Sequence, residues 1–213
     1  VWWDAELFTG NPNWELLRSN PKAELPAEEQ AFLDGPVNEL CEMIDEWKVA
    51  HKDYDLPQEV YDFVKEKGFF SFIIPKEYGG LEFSPLGLIH VMAKVGSRSG
   101  TLASMVGVPN SLGPAELLMH YGTDDQKSEL LPKLASGEHV PCFALTGPYA
   151  GSDATSMPDT GIVCKGEFEG EEIIGIKLNF SKRYITLAPI ATLIGLAFKM
   201  YDPDQLIGET ENY

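Results

Sequence analysis

The stretch from Cys142 to Ala154, CFALTGPYAGSDA, ends a β-prone run at Thr146 and then sets Gly147, Pro148, Ala150, Gly151, Ser152 and Asp153 in close succession. Glycine lets the main chain approach a ligand, and successive amides donate without side-chain bulk, so such a bend can hold an anion or the polar edge of a heterocycle. The same composition also suits an ordinary connection out of a strand, with Asp153 capping its own turn. Further along, Lys182 to Thr186 reads KRYIT. On a strand, residues two apart share a face, so Tyr184 and Thr186 can meet one flat ligand together or form a cross-strand pair. Lys182 and Arg183 suit either a phosphate contact or an exposed strand end.

Other residues point to duller roles. Glu42, Asp45 and Glu46 read as a solvated helix face, and His51, His90, His120 and His139 share no motif, which suits capping and surface roles. Cys41, Cys142 and Cys164 are odd in number, far apart and without metal-type spacing, which argues against a disulfide framework or a metal site and for a reducing compartment. Across 213 residues, 33 acidic side chains against 16 basic give a net charge of −17, which repels phosphate backbones and excludes a nucleic-acid role. With 44% hydrophobic and 23% charged residues, the chain can build a sizeable core. It opens at Val1 without an initiator methionine, basic n-region or apolar h-region, so neither a signal peptide nor a natural start is visible, and it reads as a piece of something longer.

The elements that must position these residues change character along the chain. Residues 1–26, with Trp2, Trp3 and Trp14 among asparagines and prolines, read as an irregular segment held by its aromatics. Residues 27–139 read as a helical domain. A helix is expected from Ala27 to Asp34, broken by Gly35-Pro36. A second has Val37, Leu40, Cys41, Ile44 and Trp47 on one face, and a third follows Pro57 with Val60, Phe63 and Val64, stopped by Gly68. Phe69 to Pro75 should be a buried crossing. Ser84 caps a helix lined by Leu86, Ile89, Met92 and Val95; Leu102 to Val108 forms another; Gly113-Pro114 restarts one through Tyr121; Thr123 and Gln126 make a capping box. From residue 140 to 213 the runs Val140–Thr146, Gly161–Phe168, Glu172–Phe180, Arg183–Leu187 and Ala191–Tyr201 are β-prone, with Ala188–Phe198 reading as a buried strand. The fold class is α+β: an all-α N-terminal domain followed by an incomplete antiparallel β-sheet domain.

CFALTGPYAGSDA resembles the flavin-site signature of the acyl-coenzyme A dehydrogenase family. IIPKEYGGLEF, VGVPNSLGP, HYGTDDQKSELLPKLASGE and KRYITLAPIATLIGLAFK are similar to the same family and fall in its order. WWDAELFTGNPNW and EEQAFLDGPVNELC resemble its large bacterial β-oxidation members, so the likeness runs over nearly the whole chain. The resemblance implies a helical domain, a β-domain and a C-terminal four-helix bundle, the last of which has no counterpart here. It also implies flavin adenine dinucleotide (FAD) between β-domain and bundle, with a fatty acyl-coenzyme A thioester against the ring. Carried over by position, Phe143, Leu145 and Thr146 border the isoalloxazine, and Gly151 and Ser152 approach the pyrophosphate. Ser152 also meets the substrate. Tyr184 stands where many relatives have a tryptophan on the ring, with Ile185 and Thr186 beside it. Gly147 departs from the pattern, since that position is often glutamate.

The implied chemistry is removal of a proton α to the thioester as a hydride leaves the β carbon, giving a trans-2-enoyl product. Hydrogen bonds to the thioester carbonyl stabilise the enolate-like charge by roughly 3–4 kcal/mol per donor. The family's base is a glutamate of the C-terminal portion, so no catalytic residue is assigned here, and weak flavin retention is expected without the bundle. The resemblance further implies an electron-transferring flavoprotein as acceptor, a homo-oligomer, and a cytoplasmic enzyme, with a peripheral inner-membrane position as a variant. An acyl-coenzyme A oxidase and a non-catalytic acyl-coenzyme A- and flavin-binding module are the rival readings.

Overall fold

A computed structural model of the chain describes residues 3–19 and 23–208. Trp2 lies outside them. The expected irregular N-terminal segment instead contains two short helices, α1 (Trp3–Leu7) and α2 (Trp14–Ser19). The Trp3 and Trp14 rings meet at 5.7 Å between centroids, and the Glu6 carboxylate accepts the Asn13 amide, so local contacts supply the order that composition did not signal.

Helix α3 (Ala27–Asp34) stops at Gly35, and Pro36 opens α4 (Pro36–Glu42). Helix α4 ends earlier than its apolar spacing predicts. Arg98 donates to the Cys41 and Ile44 carbonyls and thereby satisfies groups that a continuing helix would have used. Asp45 then caps a new turn, α5 (Glu46–Lys48), which runs into a π-helical turn at Val49–Asp53. The restart rotates Trp47 off the core face; it is 67% exposed and packs on His51 instead. Helix α6 (Gln58–Glu66) buries Val60 and Val64, and Gly68, at φ +77°, turns the chain into the Phe69–Pro75 crossing. Phe69, Phe70 and Phe72 there are at most 1% exposed and form the centre of the helical core.

Ser84 caps α7 (Pro85–Arg98), and Ser99 caps α8 (Gly100–Gly107). The buried face of α7 is Gly87, Val91 and Val95; of the predicted stripe, Val95 is buried and Met92 rests half-buried on the core, while Ile89 faces outward. Gly87 is the reason: the Glu29 carboxylate of α3 occupies the space a side chain would need, so α7 turns its glycine edge toward α3. Helix α9 (Pro114–Tyr121) and α10 (Asp124–Ala135) complete the helical part, α10 beginning with the full Thr123/Gln126 capping box.

The strands are β1 (Pro141–Ala144), β2 (Thr160–Phe168), β3 (Glu171–Asn179), β4 (Leu193–Leu196) and β5 (Lys199–Tyr201). The α+β class holds, but pairing is mixed where an antiparallel sheet is expected. Among the described residues β2–β3 is antiparallel, whereas β1–β4 and β2–β5 are parallel. The reason lies in the connections. Glu169 (φ +53°) and Gly170 (φ +86°) make a tight hairpin that reverses β3, whereas β4 and β5 return after a long excursion and arrive in the direction of their partners. Ala188–Phe198 is not a buried strand: Pro189 sits in a 3₁₀ turn (Ala188–Ile190), and Ile194 is 60% exposed. Gly195 lets Pro114 and Phe143 close over it, seating α9 on the β1–β4 pair.

Candidate functional site

Strand β1 delivers the chain into the glycine bend. Cys142 and Ala144 point into the protein, and Phe143, opposite Gly195 in the β1–β4 register, lies half-buried on the other face. After Ala144 the bend closes on itself through the Gly147 amide, which donates to the Ala150 carbonyl at 3.0 Å. Ala150 is buried while Gly151 and Ser152 are exposed, and a Cβ built on Gly151 meets nothing within 4 Å. Among the described residues, the amides of Thr146, Gly151 and Ser152 and the hydroxyls of Thr146 and Ser152 have no partner within the chain. Asp153 stands at the N-cap position of a 3₁₀ turn (Ala154–Ser156) without a side-chain cap bond; the Ser156 and Thr155 hydroxyls donate to its carboxylate and hold it below the usual value.

The KRYIT segment is not a strand. Tyr184 and Leu187 take left-handed backbone angles (φ +58° and +66°), so the chain coils past the bend instead of pairing. Tertiary bonds hold it there. The Arg183 amide donates to the Thr146 carbonyl at 3.1 Å, the Arg183 guanidinium to the Pro148 carbonyl at 3.0 Å, and Lys182 Nζ to the Leu145 carbonyl at 2.9 Å. Leu187 and Ile190 rest on the helical core. The Tyr184 ring stands 82% exposed with the Arg183 guanidinium 5.0 Å from its centroid. Thr186 is exposed and Ile185 half-buried. The two segments singled out from sequence therefore meet through hydrogen bonds, and the strand face expected to carry Tyr184 and Thr186 together is not formed.

Lys182 is neither an exposed strand end nor a free phosphate contact. Its side chain is 5% exposed and ion-paired at 2.7 Å with Asp159, itself 2% exposed. Burial pushes the Asp159 carboxyl up, but the bonded Lys182 ammonium and Ser181 amide outweigh it and hold the group below its ordinary value. A Cβ at Gly147 would lie 3.1 Å from the Ser181 carbonyl, a tight approach, and in ordinary contact with the Asp159 carboxylate at 3.8 Å. Asp159 carries no signal in the sequence, since a lone aspartate before a strand reads as a turn residue. Phe143 faces a different space, an apolar groove of about 340 Å³ that it lines with Pro114, Leu117, Ile194 and Leu196.

The N-terminal domain of acyl-CoA dehydrogenase, as a family, matches residues 27–138, more than half of the chain. The chain belongs to the acyl-CoA dehydrogenase family. Two curated relatives are a 3-(aryl)acrylate reductase of Clostridium sporogenes, 36% identical over 66% of this chain, and a caffeyl-CoA reductase–Etf complex subunit of Acetobacterium woodii, 34% identical over 70%. The chain spans 35% and 36% of the length of these proteins. The fold is similar to that of an acyl-CoA dehydrogenase complexed with FAD from Bacillus anthracis, with a TM-score of 0.69, 24% identity, and coverage of 83% of this chain and 29% of that one. Among the described residues of this acyl-CoA dehydrogenase chain, no helix is long and apolar enough to cross a membrane.

Proposed function

We propose that this chain carries part of the cofactor and substrate site of an FAD-dependent oxidoreductase that introduces a trans double bond between Cα and Cβ of a fatty acyl-coenzyme A. The observation that carries the reading is the joining of the Leu145–Ser152 bend to the Lys182–Thr186 coil. Unpartnered amides and hydroxyls on one segment lie beside an uncovered aromatic ring on the other. That arrangement fits a flat heterocycle with an anionic tail. Tyr184 offers a face for stacking. The Thr146 amide and hydroxyl can donate to the polar edge of the ring, and the open backbone at Gly151 and Ser152 can approach a pyrophosphate or the coenzyme A of the substrate. Leu145, Ile185 and Thr186 border the same space; Phe143 contributes from the groove side. When bound, the flavin supplies the hydride acceptor. This chain's own residues orient the ring and the thioester; the general base, a glutamate in the family, falls to the C-terminal portion that the longer relatives carry.

The reaction class is supported by family membership and by relatives named for chemistry on unsaturated acids and their coenzyme A thioesters. Electron-transferring flavoprotein as acceptor, a homo-oligomeric state and a role in fatty-acid β-oxidation are part of this proposal. The test is anaerobic addition of a saturated fatty acyl-coenzyme A to the protein extended through its C-terminal portion and loaded with FAD. Bleaching of the flavin absorbance is expected; no bleaching with any chain length overturns the reading in favour of a binding module. Oxygen consumption during turnover would instead mark an oxidase.

A further inference from the structure

We propose that the buried Lys182–Asp159 pair is a positioning device that sets the spacing between the glycine bend and Tyr184, and thereby the place of the flavin; this rests on the flavoprotein reading above. Lys182 Nζ reaches Asp159 Oδ2 at 2.7 Å, the Leu145 carbonyl at 2.9 Å and Met157 Sδ at 3.8 Å. Asp159 Oδ1 accepts the Ser181 amide at 2.8 Å, and the Asp159 carbonyl accepts the Lys199 amide at 3.0 Å. The ion pair thus ties together the exit of β1, the entry to β2 and the chain leaving β3, while the Asp159 backbone joins the start of β5. Its two ends are close to the site in sequence: Leu145 precedes Thr146 directly, and Lys182 lies two residues before Tyr184.

A purely stabilising role does not call for these groups. Replacing a buried ion pair by well-packed apolar side chains is often neutral or favourable, because desolvation offsets the attraction. An apolar pair cannot fix the distance and direction of a carbonyl. A lysine with donors directed at both a carboxylate and a backbone carbonyl can. The coil around Tyr184 needs such a tether, since it has no strand partner and takes left-handed backbone angles.

Two variants of the protein extended through its C-terminal portion test this, Lys182→Met and the double variant Asp159→Asn/Lys182→Met, the second leaving no uncompensated buried carboxylate. The first readout is amide hydrogen exchange without flavin; the second is FAD titration, following affinity and the position of the flavin band. In the double variant, exchange about tenfold faster confined to residues 144–152 and 181–187 is expected, with α3 to α8 unchanged. FAD binding should weaken by about 10- to 100-fold with a shifted band, because a displacement near 1 Å is costly at a positioned site. Unchanged exchange in both segments, or unchanged FAD affinity and spectrum, overturns the proposal. So does an equal rise throughout the helical core in both variants, which would make the pair a general stabiliser. Failure of the unaltered protein to bind FAD overturns the flavoprotein reading instead, while the exchange readout still decides whether the pair joins the two segments.

Discussion

Asn110 bridges its own helical neighbourhood to a segment far earlier in the chain: its Oδ1 accepts the Phe72 amide at 2.8 Å. Its Nδ2 donates to the Phe69 and Val106 carbonyls, and the residue is 4% exposed. The Phe69–Pro75 crossing is neither helix nor strand; the Leu81 and Phe83 amides donate to the Ser71 and Phe72 carbonyls, and the Phe72 N–H and Phe69 C=O that such loop bonds leave over are met by this one side chain.

Asn110→Ala should therefore lower unfolding free energy by roughly 2–4 kcal/mol, since the Phe72 N–H and Phe69 C=O stay buried without partners. Urea denaturation measures it. A loss under about 0.5 kcal/mol would show that the crossing relaxes to water instead.

Glu29 and Gly87 are coupled by space. A Cβ at Gly87 would lie 2.2 Å from Glu29 Oε2, and the same carboxylate accepts the Ser84 amide and hydroxyl at the start of α7. Gly87→Ala alone should destabilise by roughly 1–3 kcal/mol through the displaced carboxylate. In a Glu29→Ala background the same change should be neutral or gain up to about 1 kcal/mol from helix propensity. Additive effects in the double-mutant cycle would remove the coupling.

Asp159 should shape acid stability. Its carboxyl is held below the ordinary value of about 3.9, so its contribution is complete above that pH and is lost as the pH falls through the depressed folded value. Lys182→Met takes away the bonded ammonium and should move the acid unfolding midpoint, followed by circular dichroism, to higher pH. A midpoint unchanged from that of the unaltered chain would contradict the assignment.

Tyr184→Ala should leave thermal stability nearly untouched, because the ring is 82% exposed, while weakening FAD binding by about tenfold in the protein extended through its C-terminal portion. Tyr184→Trp should bind at least as tightly as the original. The 213-residue chain alone should retain FAD far more weakly than the extended protein; flavin absorbance after gel filtration reads both comparisons.

What could be read from residues alone was whatever closes within one turn of chain. Gly35-Pro36, Ser84-Pro85, Gly113-Pro114 and the Thr123/Gln126 box end or begin helices where the sequence says they should, because each cap satisfies backbone groups a few residues away. The Asp153 turn was equally legible. Residue types singled out the two segments of the candidate site and the family likeness reinforced them, although Lys182–Thr186 was misread as a strand.

Only the tertiary structure decided the rest. Trp47 and Ile89 sit at apolar spacing yet face outward, because Arg98 ends α4 and Glu29 turns α7. KRYIT has strand-forming side chains yet coils, because Lys182, Arg183 and Leu187 find partners at the exit of β1, in the bend and in the helical core. The sequence alone determined the locally capped helix ends and the chemistry-bearing residue types. Burial, strand direction and the partner of Lys182 depend on groups tens of residues apart, whose meeting is settled by packing the whole chain and not by any local preference.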